Sequence, residues 1–419
     1  MSNVLPQGWE EKELDLLAFF NKETLKNNSQ LNLIEYLDTS SVTNNIFEEP
    51  VLYKISEAPS RAKRIVEEDD IVISTVRPNL EHFGYLKNVK KNLIVSTGFV
   101  TITTIKNLLN SKFCYYFLSQ NKITNYLMAV AQTSTSTYPS FKPEILKKHL
   151  IQYPSDINEQ KRIADILSAF DDKIELNNQM NQTLEDMATT LFKEWFENFN
   201  FPNEQGKPYK DNDGEMKSSV LGEIPIDWEV MKISEISENI SRRFKLKEHK
   251  EVVFVNTGDV LNGEFLHKDY KNPDNLPGQA KKAIKKGDIL YSEIRPKNRR
   301  FARVDIDVDD YVVSTKFMVI KRNEKIGYNC LYIYLTLDST IEQFNTIAES
   351  RSGTFPQITF DSVSNVKMTL PNNGIIMEKF EKTVEPIFEQ IKLNKEQNQT
   401  LKQQRDTLLP KLMSGEIRV

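Results

Sequence analysis

Cysteine and histidine are scarce in this 419-residue chain, with two Cys and four His. Cys114 and Cys330 cannot build a disulfide framework or a four-thiolate zinc site, and so few thiols fit a reducing cytoplasm. His82, His149, His249 and His267 lie far apart and make no H-x-x-x-H pair. No stretch approaches the ~18 consecutive apolar residues of a membrane span. The opening Met1–Pro6 lacks the basic and apolar regions of a secretory leader. A strong charge of one sign is also missing, since the net charge is −4. That excludes a uniformly basic nucleic-acid coat, so any nucleic-acid contact must be local. Enzyme signatures fail too. There is no G-x-x-x-x-G-K-[ST] loop, no G-x-G-x-x-G fingerprint and no Asn-Pro-Pro-Tyr-like methyltransferase segment. Asp274 and Glu293 resemble a nuclease pair only until Arg295 stands where its lysine belongs.

What the chain does have is itself, twice. Arg77-Pro78 returns 218 residues later as Arg295-Pro296. In the same register Thr39, Val42, Asn44 and Phe47 match Thr257, Val260, Asn262 and Phe265. Asp70, Ile71 and Ser74 match Asp288, Ile289 and Ser292, and Val95-Ser96-Thr97 matches Val313-Ser314-Thr315. An internal repeat of this length marks a tandem duplication.

Each half reads as a strand-rich segment followed by a long polar helix. Short β-branched runs predict strands over 71–76, 94–105, 252–256 and 311–321. Between Asn158 and Phe199 there is neither Pro nor Gly, and Ile163, Leu167, Phe170, Ile174, Leu184, Leu191 and Trp195 recur near helical spacing. Ser155 and Asp156 offer N-caps. The second helix is predicted from about Met377 to Leu409, kinked at Pro386 and ended by Pro410 and Gly415. A helix of ~40 residues extends ~60 Å, longer than one small domain needs. Its narrow apolar stripe wants one partner, and the second helix is the natural candidate, lying antiparallel. Asn177, Asn181, Asn394 and Asn398 fall in the stripe. They either fix the register as buried polar residues or face solvent on a loosely packed helix.

Nine Lys and Arg crowd residues 281–303, namely Lys281, Lys282, Lys285, Lys286, Arg295, Lys297, Arg299, Arg300 and Arg303, against Asp288 and Glu293. Such density suits phosphate neutralisation and guanine readout. The first half is less basic, with Arg61, Lys63, Arg64 and Arg77 among its cations. A polar run, Thr133-Ser134-Thr135-Ser136 with Tyr138, is a second candidate for DNA contact. Its repeat counterpart holds Ser350, Arg351, Ser352, Thr354 and Gln357. Arg77 and Arg295 suit either phosphate or an internal ion pair. Two domains reading different sequences do not need the same base-reading residue. Phe192, Trp195, Phe196 and Phe199 close the first helix, for packing against the next domain or for docking a partner subunit.

These features together resemble the specificity subunit of type I restriction-modification enzymes. The resemblance is carried by Glu159-Gln160-Lys161-Arg162-Ile163-Ala164, by Leu221-Gly222-Glu223-Ile224-Pro225 with Trp228, and by Leu408-Leu409-Pro410-Lys411-Leu412 through Gly415. It implies an α+β fold: two tandem, pseudo-twofold-related α/β target recognition domains separated by two long antiparallel coiled-coil helices. The expected segments are recognition domain 1 at 1–157, a spacer helix at 158–200, a linker at 201–221, recognition domain 2 at 222–373 and a second spacer helix at 374–419. It further implies a non-catalytic chain that binds a split, asymmetric site on double-stranded DNA. The implied partners are two modification methyltransferase subunits and restriction endonuclease/translocase subunits. S-adenosylmethionine, ATP and Mg would be used by those partners, with no cofactor in this chain.

Overall fold

The computed structural model describes residues 5–26, 31–133, 138–351 and 356–419. It divides into two compact units, one of residues 1–178 with 395–419 and one of residues 179–394. The helices expected as separate spacers are therefore shared out, each unit holding a stretch of both.

In the first unit an antiparallel four-stranded sheet has the order Phe83–Tyr85, Ile71–Ser74, Phe99–Thr104, Ala18–Phe20. A five-stranded sheet has the order Glu23–Thr24, Ala62–Ile65, Leu93–Ser96, Leu33–Leu37, Val51–Lys54, with the third and fourth parallel. The second unit repeats this order. Phe301–Arg303, Ile289–Ser292, Phe317–Arg322 and Ser237–Asn239 make its four-stranded sheet. Arg242–Arg243, Ala280–Ala283, Tyr311–Ser314, Val252–Val255 and Tyr270–Lys271 make its five-stranded one.

The predicted strand over 94–105 is thus two strands in two sheets, as is that over 311–321. The repeated Val-Ser-Thr makes the crossing. Ser96 Oγ accepts from the Gly98 N–H at 3.2 Å, and Ser314 Oγ accepts from the Lys316 N–H at 3.2 Å. A serine that binds backbone two residues on favours a turn over continued pairing. Asp70 and Asp288 are buried equivalents. Asp70 accepts from the Glu67 N–H at 2.9 Å and Asp288 from the Lys285 N–H at 2.7 Å, so this repeat of an acid holds a loop.

The main core of each unit lies between its four-stranded sheet, two short helices and the long helices. Cys114 and Cys330 sit in these cores, both free and fully buried. Burial pushes the Cys114 thiol up to about 12 and Cys330 well above its ordinary range, so neither is an available nucleophile.

The first long helix spans Ile157–Phe192 and continues as a wider turn over Lys193–Glu197. Asp156 caps it by accepting from the Asn158 N–H at 2.9 Å. Gln160 is fully buried and anchors the helix start. It donates to the Leu108 and Pro154 carbonyls at 3.1 and 2.8 Å and accepts from the Asn110 N–H at 2.8 Å. The second helix, Gly374–Met413, runs through Pro386 without interruption and past Pro410; Gly415, at φ 70°, follows it. Residues 201–221 are more ordered than a linker. Phe201 is buried and stacks on Tyr209, and Met216–Ser219 pairs with Gly222–Pro225.

The four stripe asparagines are all buried. In the first unit Asn177 donates to Asn398 and Gln397, each at 2.8 Å, and Asn398 donates to Asn178 at 2.8 Å. In the second, Asn394 donates to Asn181 at 2.8 Å. In the first unit the stretches run antiparallel, since Asp171 meets Arg405 and Arg162 donates to the Val419 carbonyl. Sliding one helix by a turn would keep one Asn–Asn pair at most and part the other two asparagines, at about 1–3 kcal/mol for each amide left buried without a partner.

Candidate nucleic-acid interface

The turn between the two sheets starts a continuous rim in each unit. In the first, the Thr97 N–H donates to the Arg61 carbonyl at 2.8 Å and the Thr75 N–H to the Gly98 carbonyl at 2.9 Å. Ser74 Oγ accepts from the Val76 N–H at 3.2 Å, and Val76 bridges Ser140. The Arg77 N–H donates to the Pro139 carbonyl at 2.9 Å, and its guanidinium lies 4.6 Å from the centre of the exposed Tyr138 ring. The second unit repeats the path. Thr315 N–H donates to Gln279, Glu293 N–H to Lys316 and Arg295 N–H to Pro356, at 2.9, 2.9 and 3.1 Å. Ile294 bridges Gln357.

Arg77 and Arg295 are both exposed and both left-handed, at φ 49° and 44°. That conformation costs a β-carbon residue roughly 1–2 kcal/mol. Its occurrence at the same repeat position twice, immediately before proline, fixes the arginine on the rim. Strain of this kind collects at functional sites. Lys63 and Lys281 are a second equivalent pair, half-buried and exposed respectively on matching strands.

Several cations of the basic segment have structural work instead. Lys282 is half-buried and donates to the Phe317 carbonyl at 2.6 Å, and burial lowers its pKa. Arg300 donates to the Gly258 and Val260 carbonyls, both at 3.0 Å. Its repeat equivalent, His82, contacts the equivalent Val42 carbonyl at 2.7 Å, so Arg300 fills an internal role that a histidine fills in the first unit. Arg303 lies over the Phe388 ring at 4.1 Å and the Tyr328 ring at 4.8 Å. Lys297 pairs with Glu342 at 3.2 Å, and Arg299 pairs with Asp338. The expectation of DNA contact is therefore corrected for Lys282 and Arg300, whose charged heads are spent on backbone carbonyls. Lys297 and Arg299 stay on the surface with carboxylate partners. Asp338 and Glu342, one helical turn apart, were the readable sign of that neutralisation.

Thr133 is exposed and donates to the Val130 carbonyl at 2.7 Å; Ser350 is exposed and donates to Ile347 at 2.9 Å. Both finish helices. Gln357 accepts from Lys316 Nζ at 3.4 Å. Arg351 ends the helix Asp338–Arg351. Ser134, Thr135, Ser136, Ser352 and Thr354 lie outside the described residues. His267 contacts Asp259 at 3.3 Å and Asp269 at 3.7 Å, a partly exposed cluster.

Docking by Phe192, Trp195, Phe196 and Phe199 is also corrected. All four are buried inside the second unit. Phe196 meets Phe380 edge-on at 4.9 Å and Trp228 at 5.5 Å, Trp195 meets Phe380 at 5.5 Å, and Phe199 meets Trp228 at 5.4 Å. An aromatic cluster with no exposed face can pack a core but cannot offer a surface. Among the described residues no cluster could hold a metal ion, and no helix is long and apolar enough to cross a membrane.

The sequence profile of the type I restriction modification DNA specificity domain matches this chain twice, over residues 6–186 and 225–403. The chain belongs to that family of specificity subunits. It is 54% identical over 178 residues to the type I restriction enzyme HindI specificity subunit of Haemophilus influenzae, a match spanning 42% of this chain and 39% of that one. To the MjaIX specificity subunit of Methanocaldococcus jannaschii it is 29% identical over 85% of this chain and 79% of the relative. Among solved structures, the type I restriction-modification system S subunit from M. genitalium is similar in fold, with a TM-score of 0.54 and 17% identity over 98% of this chain and 97% of that one. Each family match ends within a long helix, so the repeating unit comprises a strand-rich segment and helix together.

Proposed function

We propose that this specificity subunit reads double-stranded DNA as a split, asymmetric target, one half per unit, and carries no catalytic step of its own. The observation that supports this most is the duplicated rim: one backbone path, one exposed left-handed arginine in each copy, and different side chains around it. A shared arginine suits the sequence-independent phosphate backbone; differing neighbours suit two different half-sites. The long helices dock two modification methyltransferase subunits, and restriction endonuclease/translocase subunits join them in the cytoplasm. S-adenosylmethionine, ATP and Mg belong to those partners. Met180 and Met187, both exposed and seven residues apart on one helical face of the second unit, replace the buried aromatics as the docking surface.

The test is to express the chain with its methyltransferase partner and map methylated bases by sequencing. The expected result is one interrupted, non-palindromic target, and no methyl transfer by the chain alone. Methylation that ignores the presence of this chain would remove the reading.

A further inference from the structure

The two rims diverge in chemistry where their backbones agree. Arg61 and Gln279 occupy one repeat position. Each offers its carbonyl to the turn threonine, Thr97 or Thr315, and each lies two residues after the proline that opens the same tight turn. In those turns the Ala62 N–H donates to Pro59 at 2.8 Å and the Ala280 N–H to Pro277 at 2.9 Å. The neighbours have structural duties. Asp38 and Asn256, also equivalent, both cap by accepting from the Thr39 and Thr257 N–H groups, at 2.8 and 2.9 Å. Thr75 donates to the Gly98 carbonyl at 3.0 Å, and Lys316 is engaged with Gln357. Glu293 carries the wrong charge for a DNA surface. Arg61 differs from all of these. It is exposed and lines a cavity of about 350 Å³ with Tyr36, Asp38 and Tyr53. Gln279 is half-buried, and its amide N–H reaches Asn256 Oδ1 at 3.5 Å, which leaves its carbonyl and second N–H available.

A position that discriminates bases must sit on the DNA-facing rim, must differ between copies that read different sequences, and must have polar groups to spare. Arg61 and Gln279 meet all three conditions. Their chemistry is complementary to different bases: a guanidinium matches guanine O6 and N7 in the major groove, and a carboxamide matches adenine N6 and N7. We propose that Arg61 and Gln279 are equivalent base-reading residues, Arg61 taking a guanine in one half-site and Gln279 an adenine in the other. This rests on the DNA-reading function proposed above.

The experiment exchanges the two chemistries in the full chain, co-expressed with its methyltransferase partner. Arg61→Gln, Arg61→Ala and Gln279→Arg are made separately. Methylated bases are mapped, and the purified complexes are titrated with oligonucleotides carrying each base at each half-site position. Arg61→Gln should move one position of one half-site from G to A, changing relative affinity there by about ten- to a hundredfold. Gln279→Arg should move one position of the other half-site from A to G. Arg61→Ala should relax its position without selecting a new base, with an unchanged melting temperature. Uniform weakening on every sequence, with the slope of log K against log salt shallower by about 0.9, would overturn the proposal and make Arg61 a phosphate contact. Unaltered half-sites in all three variants would overturn it as well. A parent complex that methylates no split target would instead bring down the DNA-reading function, and this assignment with it.

Discussion

The two units share a frame and differ in how they fill it. In the second unit, Arg300 and Arg303 stand where the first has His82 and Tyr85. His82 and Arg300 bind equivalent carbonyls. Tyr85 packs on Tyr115 at 6.0 Å, and Arg303 lies 5.7 Å from the Tyr332 ring. Two arginines of the basic segment thus stand at packing positions that the first unit fills with a histidine and a tyrosine. Charge density along a sequence overstates the nucleic-acid surface when side chains turn inward, and a repeat within the chain is the control that exposes this. The buried aspartates make the same point. Asp288 is bound by the Arg242 guanidinium at 3.1 Å. Asp70 has Thr103 Oγ1 at 2.5 Å instead, and burial raises its pKa to about 6.

The comparison breaks most visibly at the helix ends, where Trp195 and Phe196 enter the second unit's core and Leu412 and Met413 enter the first's. Phe380→Ala should cost about 3–5 kcal/mol. Trp195 and Trp228 lie in the affected unit and Trp9 in the other, so tryptophan emission in a urea titration should show an early transition for the second unit alone. A single transition moved as a whole to lower urea would mean that the two units unfold together, and an unmoved one that Phe380 carries little packing energy.

A sharper test exchanges the filling. Arg300→Ala should destabilise the second unit by about 1–3 kcal/mol through two unbound carbonyls. Arg300→His should recover much of that loss, because the first unit already uses histidine there. Neither should alter the salt slope of DNA binding. A shallower slope would return Arg300 to the DNA surface.

Asp70 should respond to pH. Asp70 has a folded pKa above its unfolded value, so its contribution is fully present below about pH 4 and is lost as pH rises through about 6. Asp70→Asn should therefore gain stability relative to the parent across that window, by roughly 1–2 kcal/mol, in denaturation midpoints measured at successive pH values. A difference that stays flat from pH 4 to 6.5 would mean that Asp70 ionises freely in the fold.

The smallest effect belongs to the shared arginines. Arg77→Ala and Arg295→Ala should each flatten the plot of log K against log salt by about 0.9 and leave both half-sites unchanged. A changed base preference in either variant would make these arginines readers and not anchors.

The duplication was legible in the sequence because turn residues repeat for backbone reasons. Asn44 and Asn262 are both left-handed, as are Arg77 and Arg295, and few residue types suit such positions. The long helices were legible from spacing and caps, and their asparagines from their places in the stripe. The inward turn of Lys282, Arg300 and Arg303 was not legible, since a cation's direction depends on carbonyls and rings contributed by distant strands. Nor was the split of Val95-Ser96-Thr97 between two sheets: a β-branched run scores as one strand whether or not a serine folds back on it. The burial of Trp195 and Phe196 depends on Phe380, nearly two hundred residues away.

The division of the chain has a consequence for how the protein is made. The second unit is one unbroken stretch, residues 179–394, whereas the first needs residues 395–419 to finish its core with Leu412 and Met413. At roughly 5–20 residues per second of synthesis, residues 1–178 wait about 10–40 s on the ribosome before their closing helix is made. The later half can be complete while the earlier one is still open, so nascent chains should depend on chaperones through their first half.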